Sequence, residues 1–305
     1  MIVRTLLAAL ALGLSGTLAM GQSIDLSPEQ PGRPRAERDE AAIRLISPRA
    51  KLAREGVLTV AVAAGRLPFG AYATDTKTVI GSEPDIAQLV ADSLGLRLDL
   101  VPVAWADWPL GLTSGKYDAV ISNVTVTEQR KEKFDFSTYR KGLHGFFVKS
   151  DSPVGAIKEP KDAAGLRVIV GAGTNQERIL LEWSKQNVAA NLKALELQYY
   201  DDQPTQLVAL ASGRADVIVQ PHAQLAFIAA RDRNIRRVGT LSAGWPQKSD
   251  VAIATRKGSG LVDALTVATN KVITNGKYGK ALARWGLEEE ALQRSETNPP
   301  GLPKF

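Results

Sequence analysis

From residue 56 onward, the apolar positions of the chain follow two alternating patterns. Continuous apolar runs such as residues 57–62 are typical of buried strands, whereas in residues 84–94 apolar side chains recur three and four positions apart, as on one helix face. Glycines punctuate these segments and end several of them. Strands that alternate with helices form right-handed βαβ units, so the pattern predicts an α/β protein whose parallel sheets are covered on both faces.

The alternation predicts two successive α/β regions with less regular ends. The predicted strands are residues 57–62, 96–103, 117–126, 145–149, 166–170, 195–200, 215–220 and 251–255, and the predicted helices are 84–94, 110–114, 128–134, 176–185, 203–212, 261–274 and 278–285. Charge, proline and small residues concentrate in residues 149–161, between the two regions. Prolines in residues 22–49 and 286–305 predict a flexible leader and a loose C-terminal tail.

The first 21 residues have the layout of a secretory signal peptide. A basic start with Arg4 precedes an apolar run over residues 6–14, and small residues at Ala19 and Gly21 suit a cleavage site. A membrane anchor is the alternative, but the run is shorter than the ~20 apolar residues that a bilayer span needs. We therefore expect cleavage after residue 21 and export of a soluble protein to the periplasm.

Composition excludes several kinds of chemistry. The chain of 305 residues has no cysteine, which excludes a thiol nucleophile, an iron–sulfur cluster and a cysteine-ligated zinc. His144 and His222 belong to no metal-binding spacing, and no G-x-S-x-G motif occurs. We therefore expect no catalytic residue, no metal and no cofactor.

The net charge of +6 raises the question of nucleic acid, and residues 231–237 hold the densest basic cluster. That cluster contains an acid and has no interleaved aromatic residue on which a base could stack. We interpret it as a solvated face and expect no nucleic-acid partner.

The segment from residue 122 to residue 130 has the side chains for a small carboxylate. Arg130 offers paired N–H donors that match a carboxylate, and Asn123 and Thr125 can complete the oxygen contacts. In the alternative interpretation, Thr125 or Thr127 only caps a helix and Arg130 is a surface charge. The sequence alone leaves both interpretations open.

A second loop, residues 171–176, opens a predicted helix with Gly171 and Gly173. The free N–H groups at a helix N-terminus can bind an anion, which makes Thr174 and Asn175 candidate contacts. Gln176 stands where a dinucleotide fingerprint has its last glycine, so NAD binding is rejected. The alternative is a tight strand-to-helix turn with no ligand.

Several short motifs occur together in one order along residues 56–287. They are the strand 58–62, Pro68-Phe69, GSEPDIA at 81–87, LTSGKYD at 112–118, TVTEQR at 125–130, FDFS at 134–137, AGLRV at 164–168, Gly173-Thr174, SGRAD at 212–216 and NGKY at 275–278. This combination resembles the family 3 solute-binding proteins of polar amino-acid ABC transporters. The resemblance implies a two-lobed periplasmic-binding-protein fold of type II, with a ligand cleft between lobes that are joined by two hinge strands.

The resemblance also implies domain boundaries. The first lobe would comprise residues 52–149 plus 251–287 and the second lobe residues 150–250, with crossings near 148–151 and 250–253. Residues 1–21 would be the signal peptide, 22–51 the flexible leader and 288–305 the loose tail.

By position in the family, Arg130 would bind the α-carboxylate of the ligand. Asn123, Thr125, Thr174 and Asn175 would assist it, and Trp105 would form an aromatic wall, whereas Trp108 is expected in the core.

Three positions depart from the family pattern. Members that bind α-amino acids hold the ammonium with acids at positions occupied here by Ala63 and Pro221, and Arg66 replaces an aromatic residue of the first loop. Either another acid binds the ammonium or the ligand lacks one. Arg66 would favour a second anionic group if it points into the cleft, and it is a surface side chain if it points outward.

The resemblance implies a monomeric binding component that delivers a small carboxylate, an amino acid or a derivative, to a membrane ABC permease. A dehydratase on the same fold, as in cyclohexadienyl dehydratases, is the enzyme alternative, and it would need a general acid in the cleft. A sensor that presents its ligand to a receptor is the third interpretation.

Overall fold

The chain forms two mixed β-sheets flanked by helices, in a computed structural model that describes residues 24–46, 50–200 and 202–303. The strands are β1 Val57–Ala63, β2 Ala71–Tyr72, β3 Val79–Ile80, β4 Arg97–Val103, β5 Ala119–Val120, β6 Phe134–Lys141, β7 Leu143–Lys149, β8 Arg167–Ile169, β9 Glu196–Gln198, β10 Val217–Pro221, β11 Ile235–Ser242 and β12 Asp250–Arg256. The α-helices are α1 Glu40–Arg44, α2 Ser82–Ser93, α3 Trp108–Thr113, α4 Glu128–Lys131, α5 Asn175–Ala189, α6 Gln203–Ala211, α7 His222–Asp232, α8 Val262–Thr274 and α9 Lys277–Ala283. The predicted signal peptide lies outside the described residues.

The first sheet has the order β4-β1-β5-β12-β6 and carries the first lobe. β1 runs parallel to β4 and β5, whereas β12 runs antiparallel to β5 and β6. The apolar faces of α2, α8 and α9 cover one side of this sheet, and a cluster around Trp108 and Phe136 covers the other. The sheet is mixed, and not parallel as predicted, because β12 returns to it from the second lobe.

The second sheet has the order β11-β7-β10-β8-β9 and carries the second lobe. β8, β9 and β10 are parallel, and β7 and β11 are antiparallel neighbours. Stacked rings of Phe146 and Trp183, with centroids 5.4 Å apart, centre the core that packs α5 on this sheet. Parallel strands end on one edge of a sheet, so the loops after β8, β9 and β10 share an edge.

The chain crosses between the lobes at residues 141–143 and 243–250. β7 pairs with β10 and β11, so residues 143–149 lie in the second sheet. The predicted boundaries had placed them in the first lobe. The two crossing segments are bonded to each other: the Gly142 N–H donates to the Ser249 carbonyl (2.9 Å), and the Ala243 N–H donates to the Gly142 carbonyl (2.8 Å). A Cβ at Gly142 would lie 2.9 Å from the Ser249 carbonyl oxygen, so this approach requires glycine.

The predicted leader differs from the structure, because residues 24–46 pack on the first lobe. Arg33 Nε lies 2.8 Å from the buried carboxylate of Asp85, and Arg35 binds Asp92 on the same face of α2. Ala42 of α1 is fully buried in the core beside α8. The segment is held by ion pairs between residues that are about 50 positions apart in the sequence. A local sequence pattern cannot reveal such pairs.

The predicted loose tail differs in the same way. Residues 296–298 lie beside the edge strand β6, where the Thr138 N–H donates to the Glu296 carbonyl (3.0 Å) and the Asn298 N–H donates to the Phe136 carbonyl (2.8 Å). Leu302 is buried at the end of this segment. Backbone hydrogen bonds do not require apolar side chains at regular spacing. The hydrophobic pattern of the sequence therefore does not reveal that this segment pairs with β6.

Three longer elements, β6, α7 and β11, are absent from the predicted set. α7 begins at His222, directly after the last residue of β10, so no glycine or polar loop marks its start. β11 passes through the basic cluster, where Arg236 and Arg237 are exposed and Ile235 and Val238 are buried. In the described residues, no helix is long and apolar enough to cross a membrane.

Candidate functional site

Three loops meet at one edge of the first sheet, where the parallel strands β1, β4 and β5 end. They are the turn after Ala63, the short 3-10 helix Trp105–Asp107, and the segment from Ser122 to Thr127. Ser122 joins them, since its hydroxyl accepts from the Ala63 N–H (2.9 Å) and its carbonyl accepts from the Trp105 indole N–H (3.2 Å). The side chains on these loops therefore share one edge.

Arg130 lies at this edge as a half-buried cation. One of its N–H groups donates to the Thr125 carbonyl (2.8 Å), which leaves most of the five guanidinium donors unused. Burial lowers the pKa of Arg130, and no carboxylate in the described part of the chain opposes that shift. A guanidinium that remains charged and has no acid beside it is ready for an anionic ligand.

Two indoles orient Arg130. Its guanidinium carbon lies 5.6 Å from the ring centroids of both Trp105 and Trp108. Trp108 is 1% exposed and belongs to the core, as predicted, whereas Trp105 is 50% exposed. The exposed indole can therefore contact a ligand while it holds the cation.

The two threonines near Arg130 have different roles. The Thr127 hydroxyl accepts from the Arg130 N–H (3.1 Å) and caps α4, as one sequence interpretation proposed. The Thr125 hydroxyl has no hydrogen-bond partner among the described residues, while the Thr125 backbone forms an isolated bridge to Val251 of β12. Thr125 thus contacts the guanidinium through its backbone carbonyl, and its hydroxyl stays unbonded within the described residues.

Asn123 links this edge to a buried polar cluster. Its backbone has φ +50°, a left-handed conformation that asparagine tolerates, and its N–H donates to a carboxylate oxygen of Glu83 (2.6 Å). Arg140 donates to its side-chain oxygen (2.5 Å), and the same Glu83 oxygen accepts from the Tyr139 hydroxyl (2.8 Å). Burial raises the pKa of Glu83, although Arg140 and the hydrogen bonds oppose that shift.

Arg140 and Glu290 form a fully buried ion pair behind Asn123. The other oxygen of Glu290 lies 3.2 Å from His222 Nδ1 and accepts from the Ala223 N–H (3.1 Å). Burial alone would raise the pKa of Glu290, but Arg140 and His222 more than offset burial and hold that pKa below its usual range. Glu83 and Glu290 are therefore both committed to partners within the protein.

The facing edge of the second lobe uses its polar side chains internally. The Thr174 hydroxyl donates to the Gly171 carbonyl (2.6 Å) and accepts from the Glu177 N–H (3.2 Å), which caps α5. The Asn175 amide donates to the Ala243 carbonyl of the crossing segment and accepts from Arg178 (2.9 Å). At the end of β10, Gln220 donates to Gln206 (3.2 Å).

The three positions that depart from the family pattern hold no acid. Ala63 ends β1 and Pro221 ends β10. Arg66 is exposed, and its backbone closes a tight turn in which its N–H donates to the Gly70 carbonyl (2.8 Å). Its side chain has no hydrogen bond within the described residues.

In the part of the chain that the structure describes, no group of three or more His, Asp or Glu is arranged so that it could hold a metal ion. His144 of β7 is buried with neither ring nitrogen hydrogen-bonded, and burial lowers its pKa to about 3. It is therefore a neutral core histidine in the second lobe.

The structure brings Arg130, Thr125, Asn123 and Trp105 together at the first lobe and places Thr174 and Asn175 at the second. Sequence analysis assigned no role to Glu83, Arg140 and Glu290. Glu83 lies in the quoted GSEPDIA motif and could have been found there, whereas Glu290 follows the last predicted helix and carries no signal in its neighbours.

Comparison with known proteins gives a family match. The pattern of the bacterial extracellular solute-binding proteins, family 3, matches residues 58–288. The L-cystine-binding protein TcyJ of Escherichia coli (strain K12) is 33% identical over 239 residues, which cover 77% of this chain and 84% of that protein. Cyclohexadienyl dehydratase of Pseudomonas aeruginosa is 26% identical over 171 residues, 55% of this chain and 60% of that enzyme.

Solved structures agree with the fold. An ancestral arginine-binding protein bound to arginine superposes with a TM-score of 0.61 at 28% identity, over 76% of this chain and 98% of that one. The two-sheet architecture is thus the two-lobed, type II periplasmic-binding-protein fold.

Proposed function

This chain belongs to the bacterial extracellular solute-binding proteins, family 3, and from that membership we propose that it captures a small carboxylate and delivers it to a membrane ABC permease. The cleft between the lobes is the binding site, and the ligand is an amino acid or an amino-acid derivative. Two of the similar proteins are an L-cystine-binding protein and an arginine-binding protein bound to arginine, and both ligands are amino acids. The protein acts as a monomer in the periplasm after its signal peptide is removed.

One observation carries the proposal: Arg130 is a half-buried guanidinium that no acid of the described residues pairs with. A ligand carboxylate would accept hydrogen bonds from the Arg130 N–H groups that the Thr125 carbonyl leaves unused. Charge-assisted bonds of this kind contribute roughly 1.5–3 kcal/mol each. The free Thr125 hydroxyl and the side-chain nitrogen of Asn123 are further donors within the same segment. Thr174 and Asn175 would approach from the second lobe through backbone N–H groups, since their side chains are engaged.

Among the described residues, no acid stands at the two positions where family members hold the ammonium of an α-amino acid, and the carboxylate of Glu177 at the second-lobe turn accepts from the Gly173 N–H (2.6 Å). Ala63 and Pro221 cannot bind the ammonium, and Glu83 and Glu290 are buried and bonded within the protein. A ligand with an acylated or absent amino group fits this edge better, and the exposed indole of Trp105 is available to its apolar part. If the exposed side chain of Arg66 turns into the cleft, it would favour a ligand with a second anionic group.

Closure of the two lobes is the mechanism that we propose for capture. Both crossings lie together, joined by the bonds of Gly142 to Ser249 and Ala243, so they can bend as one hinge. Ligand that is held by the first lobe would be covered by the second, and the permease would recognise the closed form.

A dehydratase is the second candidate because of the cyclohexadienyl dehydratase relative. That reaction needs a general acid that protonates a leaving hydroxyl. Burial raises the pKa of Glu83, as such an acid requires, but Glu83 is fully buried behind Asn123. We therefore propose binding without catalysis.

A thermal-shift screen of the chain from residue 22 onward tests the proposal. The panel is L-cystine, L-arginine and L-glutamine, their N-acetyl and 2-oxo derivatives, dicarboxylates and sulfonates. A ligand at 100 times its Kd adds about 2.7 kcal/mol to the free energy of unfolding, which gives a measurable rise in Tm. Compounds without a free ammonium should give the larger shifts, and compounds without a carboxylate should give none.

Mass spectrometry separates the two candidates when the protein is incubated with a carboxylate that binds and that carries a hydroxyl able to leave as water. A compound that is recovered unchanged supports binding alone, whereas a product that has lost water supports the dehydratase. A panel in which amines without a carboxylate bind as well as acids would contradict the role of Arg130.

A further inference from the structure

Residues 289–303, which we name the C-terminal clasp, lie beyond the segment that matches the family, because that match ends at residue 288. The clasp begins in the 3-10 helix Glu288–Glu290 and continues along the open edge of β6. Ser295, Glu290 and Leu302 are buried, so the segment is an integral layer of the protein and not an appendage.

The far end of the clasp holds the ligand-binding segment of the first lobe. The Leu302 N–H donates to the Val126 carbonyl (3.0 Å), and the Glu128 N–H donates to the Leu302 carbonyl (2.9 Å). These bonds fall between Thr125 and Arg130, the two residues that offer free donors to a carboxylate. The path of this segment is therefore set in part by the clasp.

The near end of the clasp binds the second lobe. Glu290 is bonded to His222 and to the Ala223 N–H at the first turn of α7, and Glu289 accepts from Arg237 of β11 (2.7 Å). The same Glu290 carboxylate pairs with Arg140 of β6 in the first lobe. One buried carboxylate thus joins the two lobes.

Arg140 transmits this contact to the ligand-binding segment. Its second terminal nitrogen donates to the side-chain oxygen of Asn123, and its guanidinium carbon lies 4.6 Å from the ring centroid of Phe69 in the first loop. The Asn123 oxygen is therefore turned toward Arg140, which leaves its side-chain nitrogen as the donor for a ligand. Without Glu290, nothing in the described residues would neutralise Arg140 except Glu83, whose pKa burial raises.

We propose that Glu290 is a positioning residue for ligand binding: through Arg140 it orients Asn123, and through His222 and Ala223 it holds the second lobe in register with that site. This inference rests on the proposed function, because it treats Asn123 as a ligand contact. It assigns a role in affinity to a residue outside the family match.

The test compares Glu290→Gln with Glu288→Gln, an exposed neighbour in the same turn whose side chain makes no hydrogen bond to another described residue. The probe is the strongest binder of the panel above, and its Kd is measured by isothermal titration calorimetry. We expect Glu290→Gln to raise Kd at least tenfold and Glu288→Gln to leave it within twofold. A Glu290→Gln protein that folds and binds within twofold of wild type overturns the proposal.

A double variant keeps the test decisive if Glu290→Gln does not fold. Arg140→Met with Glu290→Met removes both buried charges, and such replacements are often neutral or stabilising. We expect this protein to fold and still to bind at least tenfold more weakly, since Asn123 loses its guanidinium donor. Wild-type affinity in the folded double variant would also overturn the proposal.

A readout without ligand separates this inference from the proposed function. The chain has no cysteine, so Lys116→Cys and Lys185→Cys can carry spin labels on exposed sites of the two lobes. We expect a broader distance distribution in Glu290→Gln than in wild type, as measured by double electron–electron resonance. If no compound binds wild type, the proposed function fails, whereas an unchanged distribution in Glu290→Gln contradicts the clasp alone.

Discussion

The two edges of the cleft use their polar groups in opposite ways. At the first lobe, Arg130 and Thr125 keep donors that no described residue accepts. At the second lobe, the Thr174 side chain caps α5 and the Asn175 side chain binds the crossing segment at Ala243. Polar side chains therefore keep free donors on one side and are bonded within the protein on the other.

The difference indicates an order of events. In the proposed function, a ligand would gain its strongest contacts from the first lobe, because Arg130 is there, and the second lobe would then add backbone contacts from residues whose side chains are already bonded within the protein. Substitutions at the first edge should change affinity and spare stability, whereas substitutions at the second should do the reverse.

The largest effect is expected from Arg130→Met. Loss of two charge-assisted hydrogen bonds costs about 3 kcal/mol or more, so Kd should rise at least 100-fold by calorimetry. The apo Tm should fall little, since no acid is left unpaired. The control is Arg97→Met, an exposed arginine of β4 in the same lobe, which should bind like wild type. A large loss of apo stability in Arg130→Met would make Arg130 a structural residue.

The second-lobe histidine should give the next largest effect, on stability alone. Burial lowers the pKa of His144 to about 3, from an ordinary value of 6.5, so the unfolded chain binds a proton that the folded chain does not. The stability that the folded protein gains by keeping this ring neutral is complete above pH 6.5 and is lost as the pH falls toward 3. Between pH 7 and pH 5, wild type should lose on the order of 2 kcal/mol more than His144→Leu in urea unfolding. Equal losses would contradict the burial of a neutral ring.

Trp105→Ala should weaken binding without loss of fold. The half-exposed indole lies against Arg130 and faces the site, and such contacts contribute about 1 kcal/mol, which is roughly a fivefold rise in Kd. The contrasting variant is Trp108→Ala, whose buried ring belongs to the core and whose loss should lower Tm strongly. If the two substitutions lowered Tm equally, the assignment of Trp105 to the site and of Trp108 to the core would be contradicted.

The smallest effects compare the two threonines directly. Thr174→Ala removes the cap of α5 and should cost about 1 kcal/mol of unfolding free energy, with Kd nearly unchanged. Thr125→Ala should leave Tm unchanged and raise Kd by about threefold to tenfold. If Thr174→Ala weakened binding and left Tm intact, the second lobe would offer side chains to the ligand after all.

The alternation of strands and helices and the loops of the first-lobe edge could be predicted because they depend on local signals, whereas the two-lobed fold was implied by the family resemblance and the sheets are mixed where the pattern predicted parallel ones. Arg130, Thr125 and Trp105 follow strand ends, and Thr127 has the spacing of a helix cap, so short-range patterns locate them. The assignment of residues 143–149 to the first lobe was wrong, since an isolated strand pattern does not say which sheet it joins.

The Glu290–Arg140 pair could not be predicted for a different reason. It joins side chains that are 150 positions apart in the sequence, and no sequence pattern around either residue identifies the other as its partner. The leader and the clasp were likewise missed, because salt bridges and backbone pairing between distant segments leave no period in the sequence.

The position of the clasp in the chain also bears on how the protein acquires its structure after export. The second lobe is one continuous stretch and can fold as soon as it emerges. The first lobe needs the pairing of Leu302 with Val126 and the bond of Lys277 to Glu37 in the leader, so its longest-range contacts close last. A chain that is still missing its last residues would therefore have a complete second lobe and an incomplete first-lobe edge, so the proposed capture of a ligand would require the clasp to be in place.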